Sequence, residues 1–186
     1  MIETAWYFRL FYVNILWFVI SFILSVIIKA KRMGSPEPKS IIIVFFVFFI
    51  VGCVLMWFVP FSIDLAFWIG LGIIVFGELV YGLGFFAMRA HPEKKKTVVD
   101  WGIYKISRHS HILAGIICVL GVIVMGWNPA SVIYMVLWVY FVIYILLSHF
   151  YILSEEKVNV EKFGQEYKDY MNKIPRYIGI PKLGKK

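Results

Sequence analysis

The sequence predicts an all-α protein, a polytopic membrane helix bundle of about five transmembrane helices with a cytoplasmic C-terminal helix. Three observations lead there. Hydrophobic residues make up 61% of the chain and charged residues 16%, against about 45–50% and about 25% in soluble domains. The apolar residues fall in runs of about 20, the length of helix that crosses the hydrocarbon core. The basic residues, finally, alternate from one connection to the next.

The first span is expected over residues 5–28, with Arg9 as its internal charge, and Lys29, Lys31 and Arg32 close it. Glu3 and Arg9 flank early aromatics with no small-residue cleavage site, so this run reads as a retained span rather than a leader. Gly34-Ser35-Pro36-Glu37-Pro38 is a linker. The second span covers residues 40–58 and ends before Pro60. After a short turn with Ser62 and Asp64, the third span covers residues 65–88. Its glycines, Gly70, Gly72, Gly77, Gly82 and Gly84, would let neighbouring helices approach closely.

A polar segment follows over residues 89–108. The fourth span, residues 111–125, is short unless tilted or extended. Gly126-Trp127-Asn128-Pro129 is a tight turn, and residues 130–153 form the fifth span. From Glu155 a helix leaves the membrane, with Val160, Phe163, Tyr167, Tyr170 and Met171 on one apolar stripe at three- and four-residue steps. The chain reads as one membrane-embedded domain, 1–186. Residues 1–88 give three spans, and residues 89–186 give a ligand-binding loop, two spans and the last helix.

A net charge of +8 could suggest nucleic acid, but the positions of the charges argue against it. Every lysine and arginine except Arg9 lies in the first connection, the third connection or the C-terminal tail. These three fall on one face of a five-span protein, which puts the N-terminus outside and the C-terminus in the cytoplasm. Attraction to anionic headgroups accounts for the rest of the bias. Cys53 and Cys118 sit inside apolar runs and suggest no disulfide framework. No zinc-type spacing of Cys and His occurs.

The stretch Val98 to Gly115, VVDWGIYKISRHSHILAG, carries the chemistry. It packs Asp100, Lys105, Arg108, His109 and His111 against the start of a hydrophobic span. Ionisable groups at a bilayer edge are costly and mark function. Glu155-Glu156 closes the following span. If the two spans are antiparallel neighbours, both charged groups lie at one membrane face.

The order Gly102-x-Tyr104, Arg108-His109, a hydrophobic span, Glu155-Glu156, Phe163-Gly164-x-x-Tyr167-x-x-Tyr170 and Pro175-Arg176 resembles the isoprenylcysteine carboxyl methyltransferase family and the related phospholipid methyltransferases. The resemblance covers residues 96–181, about half the chain. It implies an integral membrane enzyme that moves a methyl group from S-adenosylmethionine to a lipophilic or membrane-associated acceptor. Such a reaction chiefly requires positioning and exclusion of water, with no metal and no covalent nucleophile.

By the same resemblance, Lys96, Thr97, Val98 and Val99 occupy a segment that meets the cofactor, with Val98 and Val99 suited to an adenine wall. Tyr104 matches a tyrosine lining the pocket. Arg108 and His109 match the motif that holds the cofactor's amino-acid end, where a cation opposite its carboxylate is expected. Glu155 matches the glutamate for its ammonium. Glu156 would orient Arg108 or the substrate, so Arg108 and Glu156 are the catalytic candidates. Glu78 inside a span could pair with Arg9 or a loop cation, and His149 is a possible proton acceptor.

The chain departs from the family in three places. Ser110 and Ile112 stand where the family has proline and tyrosine, so the cofactor's carboxylate could be held by Ser110 and His111. Tyr151 stands where prenylcysteine enzymes carry an arginine for the substrate carboxylate, which argues against a prenylcysteine substrate. Arg89 replaces a glutamine. Two other classes remain open: an NADPH-dependent reductase of the steroid 5α-reductase type, and a non-catalytic membrane interaction protein.

Overall fold

The computed structural model describes Val47, residues 50–52, Val54, Leu55, residues 63–90 and residues 97–179. Helix is the only regular secondary structure among them: α1 (Leu65–Arg89), a 3-10 turn (Gly102–Lys105), α2 (Ser110–Met125), α3 (Val132–Phe163) and α4 (Gln165–Lys173). The expected first span, most of the second, Lys96, Arg9 and Cys53 lie outside the described residues.

The boundaries follow local chemistry. Asp64 caps α1, its Oδ1 accepting from the Phe67 backbone N–H at 3.0 Å, and Ser131 caps α3 through the Tyr134 N–H at 3.4 Å. A side-chain acceptor of this kind satisfies one of the orphan donors of a first turn. The 25 residues of α1 and the 32 of α3 make two helices long and apolar enough to cross a membrane, while α2 is a shorter apolar helix of 16. At 1.5 Å per residue α2 spans only about 24 Å, which keeps its charged N-terminal flank close to the apolar layer.

Helix α1 packs antiparallel on α2 along a seven-residue glycine repeat. A Cβ built on Gly70 would lie 2.4 Å from the Met125 backbone N, and one on Gly77 would lie 2.5 Å from the Cys118 Sγ. One on Gly84 would lie 3.3 Å from the Ser110 Oγ. Gly121 on α2 answers them, since a Cβ there would meet the Gly70 carbonyl at 2.8 Å. Small residues thus bring the two backbones together, a contact of the kind that also serves helices packed in lipid. Gly72 and Gly82, also expected to serve close approach, face open space.

At the far end of the bundle, Ile123 packs with Tyr134, Leu137 and Phe141 of α3, and Leu55 joins from the helical residues before α1. The opposite faces stay apolar and exposed: Trp68, Phe76 and Leu83 on α1, and Val139, Leu146 and Phe150 on α3. Such continuous apolar surface is foreign to a soluble monomer and suits contact with lipid.

Helix α3 runs unbroken from its apolar part, residues 132–153, into a polar part that carries Glu155, Glu156 and Asn159. The helix expected to carry the stripe through Met171 breaks, although Val160, Phe163, Tyr167, Tyr170 and Met171 still share one cluster. Gly164 takes φ +58° and ψ −126°, a conformation that an L side chain rarely adopts. The chain turns there, and α4 folds back so that Tyr167 and Tyr170 pack with Val98 and Ile174.

Candidate functional site

The site forms where three segments meet at one end of the bundle: the loop and turn before α2, the polar part of α3, and the chain after α4. Gly102, at φ +59°, starts the 3-10 turn, and a Cβ there would lie 2.9 Å from the Ala87 side chain. The turn is pinned to α1 by the Trp101 indole N–H, which donates to the Ala87 carbonyl at 2.6 Å. Tyr104 then packs with Ala87 and Met88, and its carbonyl accepts from the Tyr170 hydroxyl at 2.8 Å. The next residues, Ser107 to Ser110, are all buried.

Glu156 is the centre of this arrangement and is 4% exposed. Its Oε1 lies 3.0 Å from Arg108 Nη2 and 3.3 Å from His109 Nε2. Arg176 grips the same carboxylate side-on, with Nη2 donating to Oε2 at 2.7 Å and Nε donating to Oε1 at 3.1 Å. His109 also faces the neighbouring acid, its Nδ1 standing 3.4 Å from Glu155 Oε2. Burial pushes the Glu156 carboxyl up. The hydrogen bonds from His109 and Arg176 and the charge of Arg108 outweigh it and hold the carboxyl down at about 2. Donors to the ionised form favour that form.

Arg108 is as buried as its partner, with its side chain 6% exposed. Only one of its nitrogens is committed to Glu156. Nε and Nη1 have no hydrogen-bond partner among the described residues. Buried guanidinium donors are normally satisfied, so these two define a place for an acceptor.

The segment after α4 closes the site. Its Pro175 carbonyl accepts from the Arg108 backbone N–H at 3.2 Å, and the Arg176 carbonyl accepts from the Ser107 hydroxyl at 3.4 Å. Tyr177 stacks on His149 with ring centroids 6.2 Å apart and shares a hydrogen bond with its Nδ1. Asn159, one turn beyond Glu155, donates to the Tyr167 hydroxyl at 3.4 Å and so supports α4.

Of the residues singled out from sequence, Arg108, His109, Glu155 and Glu156 come together. Ser110 is fully buried against Gly84, and Ile112 is buried beside it in the first turn of α2. Val99 packs at the end of α1 with Tyr104. Val98 instead points its side chain into the cluster of Tyr167, Tyr170 and Ile174, and its N–H donates to Glu166 Oε1 at 3.1 Å. Thr97 is exposed. His111 lies beside His109, ring centroids 6.5 Å apart, and Glu78 reaches Cys118 Sγ at 4.0 Å.

Arg176 is the residue that sequence reasoning passed over as a site candidate. Its only signal was the Pro175-Arg176 pair after the tyrosine stripe. Nothing in the spacing announced that the chain would double back to Glu156.

The fold and site define an all-helical protein with two helices capable of crossing a membrane and a buried Arg-His-Glu-Glu cluster at one end. Compared with protein-family models, with curated proteins and with solved structures, the chain finds no match.

Proposed function

We propose that the chain is an integral membrane methyltransferase that uses S-adenosylmethionine to methylate a lipophilic acceptor, in the manner of the isoprenylcysteine and phospholipid methyltransferases that its C-terminal half resembles. The observation that carries this reading is Arg108, a buried cation with Nε and Nη1 unpartnered among the described residues, joined through His109 to the acidic Glu155. A cation and an acid brought into one cluster through Glu156 and His109 complement a zwitterion, and the amino-acid end of the cofactor is one.

The residues fit such a ligand. Arg108 would hold the carboxylate through charge-assisted hydrogen bonds, and Glu155 would take the ammonium. The cofactor supplies an electrophilic methyl group when bound. The chain's own part is to hold that ligand, to exclude water with the packed segment 174–179, and to admit the acceptor from the bilayer between spans. Glu156 orients Arg108. With its carboxyl held down by its partners it is a poor proton acceptor, which leaves His149 as the candidate base should the acceptor have a proton to lose. In this reading five spans place the N-terminus outside and the site on the cytoplasmic face, where the basic residues gather.

Calorimetric titration of the detergent-purified protein with S-adenosylhomocysteine, beside NADPH, tests the proposal. Saturable binding of the adenosyl ligand alone is expected. Binding of NADPH alone would move the site to a reductase, and binding of neither by folded protein would leave a non-catalytic membrane protein.

A further inference from the structure

Arg108 and Arg176 share one carboxylate unequally. Arg176 takes Glu156 with two nitrogens, at 2.7 Å and 3.1 Å, whereas Arg108 spends only Nη2 on it. The unequal split has an electrostatic consequence. An arginine alone with a buried carboxylate forms a two-pronged pair and cancels its own charge. Here the fork is supplied by Arg176, so Glu156 is neutralised from the other side. Arg108, 3.0 Å from Glu156 Oε1, shares that carboxylate with Arg176 and keeps two donors unspent.

The accessibilities agree with this division. The Arg176 side chain is 32% exposed and Arg108 6%. The cation in contact with solvent therefore carries the pairing, and the buried cation is left for a ligand. The charge count agrees too. Arg108 and Arg176 together carry one positive charge more than Glu156 balances, and Glu155 lies at His109.

We propose that Arg176 is a positioning residue that occupies Glu156 and thereby leaves Arg108 cationic and able to bind the carboxylate of a zwitterionic ligand. This rests on the reading of the site given above. Arg176 touches no ligand; it acts through Glu156 on Arg108. Its removal would let Arg108 swing fully onto Glu156, and the site would lose its positive member. Removing the Glu156 charge at the same time would restore it. A residue that merely ties down the C-terminal segment would weaken binding in step with thermal stability, so binding that recovers without a matching gain in the unfolding midpoint marks the positioning role.

The test is titration of S-adenosylhomocysteine into the wild type, Arg176→Gln, Arg176→Lys and the double variant Arg176→Gln/Glu156→Gln, each checked by thermal unfolding. Binding about tenfold weaker is expected for Arg176→Gln, with the double variant binding at least about threefold more tightly than Arg176→Gln. Arg176→Lys keeps the charge but not the fork and should fall between the wild type and Arg176→Gln. If Arg176→Gln does not fold, the double variant still decides the matter. Undiminished binding by Arg176→Gln overturns the proposal. So does a folded double variant that binds no better than Arg176→Gln, or, if that single variant does not fold, one that falls about tenfold below the wild type. Arg176→Lys binding more weakly than Arg176→Gln has the same effect. Absence of binding by the wild type overturns the reading of the site itself, and this proposal with it.

Discussion

Arg176 Nη2 stands 2.7 Å from Glu156 Oε2, across 20 residues of sequence that include a helix break and a short helix. That contact ties the end of the described chain to the polar part of α3. Arg108 reaches the same carboxylate from the loop before α2. One buried carboxylate therefore holds three segments, and loss of it leaves two cations facing each other. Glu156→Ala should destabilise the folded protein by about 3 kcal/mol, the scale of breaking a buried pair by removing one partner. Thermal unfolding in detergent measures it; an unchanged midpoint would show that the segments are held elsewhere.

The same carboxylate gives a pH signature. Its folded pKa is lowered to about 2 from an ordinary carboxylate value near 4.5. A lowered pKa means that the unfolded chain binds the proton first. The stabilisation is therefore complete above the unfolded value and is lost as pH falls from about 4.5 toward 2. The unfolding midpoint should fall across that window in the wild type. Glu156→Gln should fall less steeply, having nothing to titrate there.

The glycine seam makes a positional prediction. Gly70→Ala places a methyl against the backbone of Met125 and Gly121, neither of which can rotate away. It should cost about 1–3 kcal/mol, as overpacking does. Gly72→Ala, two residues on, meets nothing and should be neutral or slightly stabilising through helix propensity. Equal effects from the two would contradict the antiparallel contact described for α1 and α2.

Gly164→Ala isolates the helix break. A Cβ there touches nothing within 4 Å, so its cost is backbone strain alone, about 1–3 kcal/mol. Relief of that strain would straighten the chain and pull Tyr167 and Tyr170 off Val98. Limited proteolysis between α3 and α4 should therefore quicken in the variant. Cleavage at the wild-type rate would mean that the turn tolerates a side chain.

Much of the layout was legible in the sequence for definite reasons. Apolar run length gave α1 and α2 to within a residue at their described ends, and Asp64 and the Gly126-Trp127-Asn128-Pro129 turn marked where chains begin and stop. Reading the two spans that flank the Gly126-Trp127-Asn128-Pro129 turn as antiparallel neighbours put Arg108 and Glu156 at one end before any distance was known. Other features depend on tertiary contact and leave no periodic trace. Gly70, Gly77 and Gly84 cannot be told from Gly72 and Gly82 without knowing which face α2 covers. Val98 reads as a pocket wall until α4 is seen to fold onto it. The return of Arg176 to Glu156 depends on one positive φ at Gly164, which the apolar stripe running through it concealed.

The central claim is that Arg108 and Glu155 bind the zwitterionic end of an adenosyl cofactor. Comparing S-adenosylhomocysteine with 5′-methylthioadenosine, which keeps the nucleoside and lacks the amino acid, tests it most directly. Calorimetry on the wild type should show the truncated ligand binding at least about 100-fold more weakly, the loss of two charge-assisted contacts. The gap should shrink to about tenfold in Glu155→Ala. Equal affinity for the two ligands in the wild type would contradict the account, because the buried charges would then have no part in holding the ligand.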